Sequence, residues 1–104
     1  MDLSGRARNK ALKTEEVDGG TFTITNPGVF GSIAGVPIIN QPQLAILAVG
    51  AVEKRPVVSD DDIKVGLRAY LTLGFDHRII DGAVADQFMS VVKAHIEQFD
   101  EELC

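Results

Sequence analysis

The residues of this chain most able to do chemistry are its two histidines, His77 and His95. His77 directly follows a predicted strand and is surrounded by Asp76, Arg78 and Asp81, on a connection exposed enough to exchange protons. An imidazole has an unperturbed pKa of about 6.5, which suits a general base near neutral pH. The pattern alone leaves two interpretations of His77 open: a general base, or a hydrogen-bonded loop residue.

The other polar groups near the histidines have ordinary interpretations as well. His95 lies within a predicted helix, beside its apolar stripe, where a structural or surface role is expected. Asp81 stands where that helix needs an N-cap, and aspartate is a preferred N-cap residue. A metal site at His77 with Asp76 and Asp81 would lack a third strong ligand at suitable spacing, so we expect no metal.

Several other chemistries are excluded by missing motifs. The chain has no G-x-S-x-G sequence, and its single cysteine, Cys104, is the last residue, so neither a nucleophile motif nor an internal disulfide is expected. It has no G-x-G-x-x-G sequence and no P-loop. Thr25 and Asn26 end a predicted strand just before a loop, where they are either turn formers or polar groups of a site.

The first half of the chain predicts a strand followed by a long loop. Residues 1–13 predict a helix end or a frayed arm, and Thr14 is expected to cap a short helical turn. The alternation in Thr21–Thr25 predicts a half-buried strand with Phe22 and Ile24 facing the core and the threonines facing away. Glycine and proline dominate the stretch from residue 26 to 42, which predicts an ordered loop.

The second half predicts three more strands and a helix. Residues 43–52 are apolar on both faces and predict a central strand, which residues 53–56 should end. A hairpin tip is predicted at 59–62, a second long strand at 68–75, and an amphipathic helix at 84–99. This order predicts an α+β fold with a mixed, mostly antiparallel sheet and a long C-terminal helix.

Composition limits the function classes. The chain has 104 residues, of which 45% are hydrophobic and 24% charged, with a net charge of −5. These values predict one ordered domain over 1–104 and argue against nucleic acid or an anionic membrane surface as the main partner. No apolar run is long enough to span a bilayer, so we expect a soluble protein in a reducing, intracellular compartment.

Three segments resemble one enzyme family. Residues 76–82 read D-H-R-I-I-D-G, residues 19–26 read G-G-T-F-T-I-T-N, and residues 37–43 read P-I-I-N-Q-P-Q. Taken in their order along the chain, the three segments resemble the dihydrolipoyl acyltransferases of 2-oxo acid dehydrogenase complexes, whose catalytic domains are chloramphenicol acetyltransferase-like. The resemblance covers about residues 10–99 and corresponds to the C-terminal half of a catalytic domain about twice this long.

The resemblance implies acyl transfer between dihydrolipoamide and coenzyme A, without a metal. By this resemblance His77 is the general base that takes the proton of the coenzyme A thiol, and Thr25 donates to the oxyanion. Asp81 would position the histidine loop, and Asn26 is a weaker candidate for the wall of the coenzyme site. Thr25 and His77 are 52 residues apart and would meet across the interface of a trimer.

The resemblance leaves the acyl group and the activity of this chain open. Thr25 and the segment 28–32 (G-V-F-G-S) look more like the succinyl-transferring members than the acetyl-transferring ones, and branched-chain acyl groups are the remaining alternative. The alternative is a non-catalytic, truncated assembly module that keeps the fold and the oligomer contacts. We expect exposed apolar sheet surface that drives association, contacts with other complex subunits through further domains, and a cytoplasmic or mitochondrial matrix location.

Overall fold

The computed structural model describes residues 2–99 and has the α+β architecture that the sequence predicts. Asp100 and Cys104 lie outside this range. The helices are α1 (Asp2–Arg8), α2 (Thr14–Val17) and α3 (Gly82–Glu97), with a short 3-10 helix at Pro27–Phe30. The strands are β1 (Thr23–Thr25), β2 (Ala45–Val49), β3 (Glu53–Ser59), β4 (Asp62–Arg68) and β5 (Leu71–Phe75).

A three-stranded sheet with the order β1-β2-β5 forms the centre of the fold. Strand β1 is parallel to β2, and β5 is antiparallel to it, so the sheet is mixed. Strand β2 is central as predicted, and its residues Ala45–Ala48 are all buried. Helix α3 lies on one face of the sheet, where the rings of Phe22 and Phe88 are 6.1 Å apart. The loop that contains Pro37 covers the other face, since Pro37 lies close to Gly74 of β5.

The predicted strand over 68–75 is wrong in one respect, because the chain breaks between β4 and β5. Strands β2 and β5 pair with Val49 opposite Leu71, whereas β3 and β4 pair with Glu53 opposite Arg68. Three residues, 50–52, therefore face two residues, 69–70, which is the geometry of a β-bulge. The bulge redirects both strands at once, so residues 53–56 begin β3 instead of ending β2.

Strands β3 and β4 form a hairpin with one apolar face. The predicted tip is confirmed: Asp60 and Asp61 have φ of 51° and 64°, which places both in the left-handed region of a two-residue turn. Residues of the two strands that share a face are largely apolar and exposed: Val58 is 74%, Ile63 80%, Val65 76% and Leu67 63% exposed. We call this surface the hairpin apolar face.

The hairpin apolar face continues onto the central sheet. Leu67 lines an open hollow of about 1050 Å³ together with Ile24, Leu47 and Leu71 of the sheet and Met89 of α3. Phe22 and Ile24 lie on the face of the sheet against which α3 packs, as predicted, but they remain 39% and 68% exposed. Helix α3 covers only part of the sheet, so the expected exposed apolar surface is present.

The N-terminal segment is helical. Residues Asp2–Arg8 form α1, and Arg6 forms ion pairs with Asp2 at 3.1 Å and with Glu16 of α2 at 2.7 Å. The prediction that Thr14 caps a helix is wrong, because Thr14 is the first residue of α2 itself. The carboxylate of Glu16 instead accepts a hydrogen bond of 2.9 Å from the backbone N–H of Lys13.

Candidate active site

The segment 76–82 forms the tight connection between β5 and α3. The backbone N–H of Asp76 donates to the carbonyl oxygen of Leu44 at 2.8 Å, which extends the pairing of β5 with the chain entering β2 by one residue. The backbone N–H groups of Ile79 and Ile80 then donate to the carbonyl oxygen of Asp76 at 3.0 and 2.9 Å. His77 lies between these anchors with an exposed side chain, and its ring is 5.4 Å from the ring of Phe75.

Asp76 and Arg78 flank His77 and form an ion pair with each other. The Asp76 carboxylate accepts from the Nε of Arg78 at 3.0 Å, from its Nη2 at 2.8 Å and from its backbone N–H at 3.1 Å. Hydrogen bonds from the Arg78 side chain, followed by the one from its backbone, lower the pKa of Asp76 from its ordinary value. This pair was not a candidate in the sequence analysis, although two opposite charges flanking the central histidine are a visible signal for it.

Asp81 acts as the N-cap of α3. Its carboxylate accepts a hydrogen bond of 2.8 Å from the backbone N–H of Val84. The cap satisfies a free N–H group of the first turn, so it fixes the point where the histidine connection enters the helix. The described residues contain no ion pair of Asp81, so any positioning of His77 by this side chain runs through the cap.

Thr25 ends β1 on the face of the sheet opposite α3. Its half-buried side chain lines a small hollow of about 190 Å³ with Pro27, Val36, Pro37 and Ala48. Within residues 2–99 its hydroxyl makes no hydrogen bond, which leaves this donor free. Asn26 follows as the residue before the 3-10 helix, with an exposed side chain that forms no cap hydrogen bond.

The fold does not bring Thr25 and His77 together within one chain. Thr25 is aligned with Ala48, whereas Phe75 is aligned with Ala45 at the other end of β2. At about 3.3 Å per residue and 4.8 Å per strand spacing, the Cα atoms of Thr25 and Phe75 are roughly 14 Å apart. His77 lies further along the chain after Phe75. The register therefore holds Thr25 and the strand end that precedes His77 at opposite ends of β2.

The remaining chemistry-bearing residues form no second site. The Nδ1 atom of His95 lies 2.8 Å from the carbonyl oxygen of Val91 in its own helix, which agrees with the structural role expected from the sequence. Residues 2–99 contain no group of three histidine, cysteine or acidic side chains that could hold a metal ion. In the same range, no helix is both long and apolar enough to cross a membrane.

The whole chain, residues 1–104, matches the model of the catalytic domain of the 2-oxoacid dehydrogenase acyltransferases. The chain therefore belongs to this family. It is 46% identical over 98 residues to the dihydrolipoyllysine-residue succinyltransferase component of the 2-oxoglutarate dehydrogenase complex of Buchnera aphidicola, covering 94% of this chain and 24% of the relative. The mitochondrial component of Bos taurus with the same name is 49% identical over 96 residues, covering 92% of this chain and 21% of the relative.

Solved structures show the same fold. A probable dihydrolipoamide acetyltransferase of Listeria monocytogenes superposes with a TM-score of 0.92 at 46% identity, covering 97% of this chain and 43% of that chain. The cubic core of a pyruvate dehydrogenase multienzyme complex superposes with a TM-score of 0.89 at 33% identity, covering 99% of this chain and 42% of that chain. The chain thus spans less than half of each solved relative and about a quarter or less of the curated ones.

One further structure concerns the chemistry itself. A dihydrolipoamide acetyltransferase of Azotobacter vinelandii superposes with a TM-score of 0.90 at 32% identity, covering 99% of this chain and 42% of that chain. Its crystallographic and enzymatic investigation addressed the role of a serine, a histidine and an asparagine in the catalytic mechanism. In that protein the serine precedes the histidine by 52 positions, and the asparagine follows the histidine by 4.

Proposed function

We propose that this chain carries the catalytic residues of a dihydrolipoamide acyltransferase, with His77 as general base, Thr25 as oxyanion donor and Asp81 as a positioning residue. The observation that carries the proposal is a spacing. Thr25 precedes His77 by 52 positions and Asp81 follows it by 4, which are the spacings of the serine, histidine and asparagine in the Azotobacter vinelandii enzyme. Threonine retains the hydroxyl of serine, and aspartate retains the side-chain carbonyl geometry of asparagine.

The proposed step is thiol-to-thioester exchange. A ring nitrogen of His77 takes the proton of the coenzyme A thiol as the sulfur attacks the thioester carbonyl carbon of acyl-dihydrolipoamide. The carbonyl oxygen becomes an oxyanion, which accepts a hydrogen bond from the Thr25 hydroxyl. The intermediate collapses when the carbon–sulfur bond to dihydrolipoamide breaks, and the departing sulfur takes the proton back from His77. An oxyanion donor of this kind contributes about 3 to 4 kcal/mol to the transition state.

The exposure of His77 and the free hydroxyl of Thr25 support these roles. His77 is exposed at the end of β5, where a thiol can reach it, and the Thr25 hydroxyl is free of partners in the described part of the chain. We assign Asn26 to the wall of the coenzyme A site with less support, since only its exposure next to Thr25 favours it. Coenzyme A and lipoamide are substrates in this scheme, and no step of it calls for a metal ion.

We propose that the active protein is a homo-oligomer built on trimers. The sheet register holds Thr25 and His77 at opposite ends of β2, so a shared site has to form between copies. The hairpin apolar face and the open hollow also supply apolar surface of the kind that drives association. The relative described as a cubic core of a multienzyme complex is an assembly, which agrees with this proposal.

Succinyl is the proposed acyl group. The two curated relatives described above, at 46% and 49% identity, are named succinyltransferases. We further propose that other dehydrogenase-complex subunits bind through domains outside the matched catalytic region. The location would be the bacterial cytoplasm or the mitochondrial matrix, as the names of the relatives suggest.

A thiol-release assay tests the function. The chain is incubated with dihydrolipoamide and succinyl-, acetyl- or isobutyryl-coenzyme A. The released coenzyme A is separated by chromatography and measured, because the transfer consumes one dihydrolipoamide thiol for each coenzyme A thiol that it releases. His77→Ala should lower the rate by about 100- to 10,000-fold. His95→Ala is the matched control and should stay within about twofold, because His95 bonds only to its own helix. Equal rates for His77→Ala and the unchanged chain would refute the assignment.

A non-catalytic assembly module is the second candidate function. It is favoured by the large apolar surface that residues 2–99 leave uncovered. This candidate predicts no binding of coenzyme A by calorimetry together with a stable oligomer by light scattering. Measurable binding that His77→Ala weakens would instead favour the enzyme.

A further inference from the structure

Asp76 has all of its polar groups engaged in fixing the turn that carries His77. Its backbone N–H bonds to Leu44 at the entrance to β2, and its carbonyl oxygen accepts from Ile79 and Ile80. Its carboxylate accepts three hydrogen bonds from Arg78. The residue before His77 is therefore tied both to the central sheet and to the residue after His77.

His77 itself has few restraints of its own. Within residues 2–99 its ring makes no hydrogen bond, and its one aromatic contact is with Phe75 at 5.4 Å. The direction of the ring is thus set mainly by the backbone between residues 76 and 78. The side-chain bridge between Asp76 and Arg78 joins the residues on either side of His77.

The Asp76–Arg78 pair is better suited to fixing the geometry of the turn than to stabilising the fold. The Arg78 guanidinium is 82% exposed, and exposed ion pairs contribute little to folding. The two parallel hydrogen bonds from Nε and Nη2, however, fix the relative orientation of the two side chains. The Asp76 side chain is only 17% exposed, so its end of the bridge is held against the fold.

We infer that Asp76 and Arg78 are positioning residues for His77 in acyl transfer. The pair holds the histidine backbone so that the imidazole points at the incoming thiol, and it does not touch the reacting atoms. This inference rests on the proposed function for its effect on rate. Displacement of a catalytic group by about 1 Å costs up to about 100-fold in rate, so loss of the pair should lower kcat.

The test compares Asp76→Asn, Arg78→Gln and Arg78→Lys in the full chain. Glu53→Gln is the matched control, because Glu53 and Arg55 form another ion pair between residues two apart, at 3.1 Å, on the hairpin. We expect kcat to fall about tenfold or more in Asp76→Asn and Arg78→Gln, with the KM for coenzyme A within about twofold. Arg78→Lys retains the charge and should recover part of kcat, whereas Glu53→Gln should leave it unchanged.

A spectroscopic measurement on the same variants reports the ring directly. The side-chain carbon-bound protons of His77 and His95 are followed by NMR, with His77→Gln used to assign them. Breaking the pair should shift the His77 signals, because the ring moves relative to Phe75, and should leave the His95 signals in place. Far-ultraviolet circular dichroism identifies any variant that fails to fold. If Asp76→Asn and Arg78→Gln both fail to fold, the kcat and the His77 signals of Arg78→Lys, the mildest change, test the inference.

Unmoved His77 signals and a kcat within about twofold in the folded variants would overturn the inference. The proposed function fails by a different result, namely an unchanged rate in His77→Ala. In that case the NMR shift still decides whether the pair orients His77, so the two failures are distinguishable.

Discussion

Mixing two inactive variants should restore activity if the site forms between copies of the chain. Thr25→Val removes the oxyanion donor and should cost about 100- to 1,000-fold in rate. His77→Ala removes the base. Thr25 and Phe75 are aligned with opposite ends of β2, so the proposed site takes Thr25 and His77 from different copies. A mixture of the two variants can then form sites in which both residues are intact.

The recovered activity has a definite expected size. In a closed ring each site takes His77 from one copy and Thr25 from its neighbour. In an equal, random mixture, the first copy is the Thr25→Val variant half of the time and the neighbour is the His77→Ala variant half of the time. About one quarter of the sites are therefore intact, whatever the number of copies in the ring.

The assay is thiol release after the two variants are unfolded together and refolded. The control mixes the unchanged chain with the double variant. Before the copies exchange, this mixture should have about one half of full activity, and after random exchange about one quarter. Affinity tags of two kinds establish that the copies have mixed. Mixed oligomers with no more activity than the single variants would refute the two-copy site.

Three further predictions follow from single contacts. Because the pKa of Asp76 is lowered, its ion pair stabilises the fold at pH values above 3.8, the ordinary pKa of aspartate, and this stabilisation is lost as the pH falls through the lower pKa of the folded chain. The difference in Tm between the unchanged chain and Asp76→Asn should therefore be constant near neutral pH and disappear in acid. Asp81→Ala should lower the free energy of unfolding by about 1 kcal/mol in urea titrations, whereas Asp81→Asn, an equally good cap, should change it by a few tenths. Val65→Lys places a charge on the hairpin apolar face and should lower the mass measured by light scattering, whereas Lys64→Glu, on the other face, should not.

Local patterns were sufficient to predict most elements. Alternation located β1, the apolar run located β2, and the aspartates of the tip located the hairpin. The break between β4 and β5 was missed because it depends on a count across two segments: residues 50–52 face residues 69–70. Gly50 is a local signal, because an isolated glycine within a strand pattern often marks a bulge, but the extra residue can be counted only once the partner strands are known.

The positions of the candidate site residues along the elements could be predicted from the sequence, but their geometry could not. The placement of His77 on a strand-to-helix connection follows from the apolar alternation before it and the cap after it. The Asp76–Arg78 pair required the backbone conformation of the turn, since residues two apart face each other only where the chain bends. The separation of Thr25 from His77 required the parallel pairing of β1 with β2, which sequence patterns do not encode.

The open hollow and the Thr25 side chain lie on different faces of the sheet. Ile24 lines the open hollow beside α3, whereas Thr25, the next residue, points to the opposite face because side chains alternate along a strand. Polypeptide that covers the hairpin apolar face and the hollow therefore leaves the Thr25 hydroxyl accessible. In the proposed two-copy site, a second copy has to approach the Thr25 face to deliver His77.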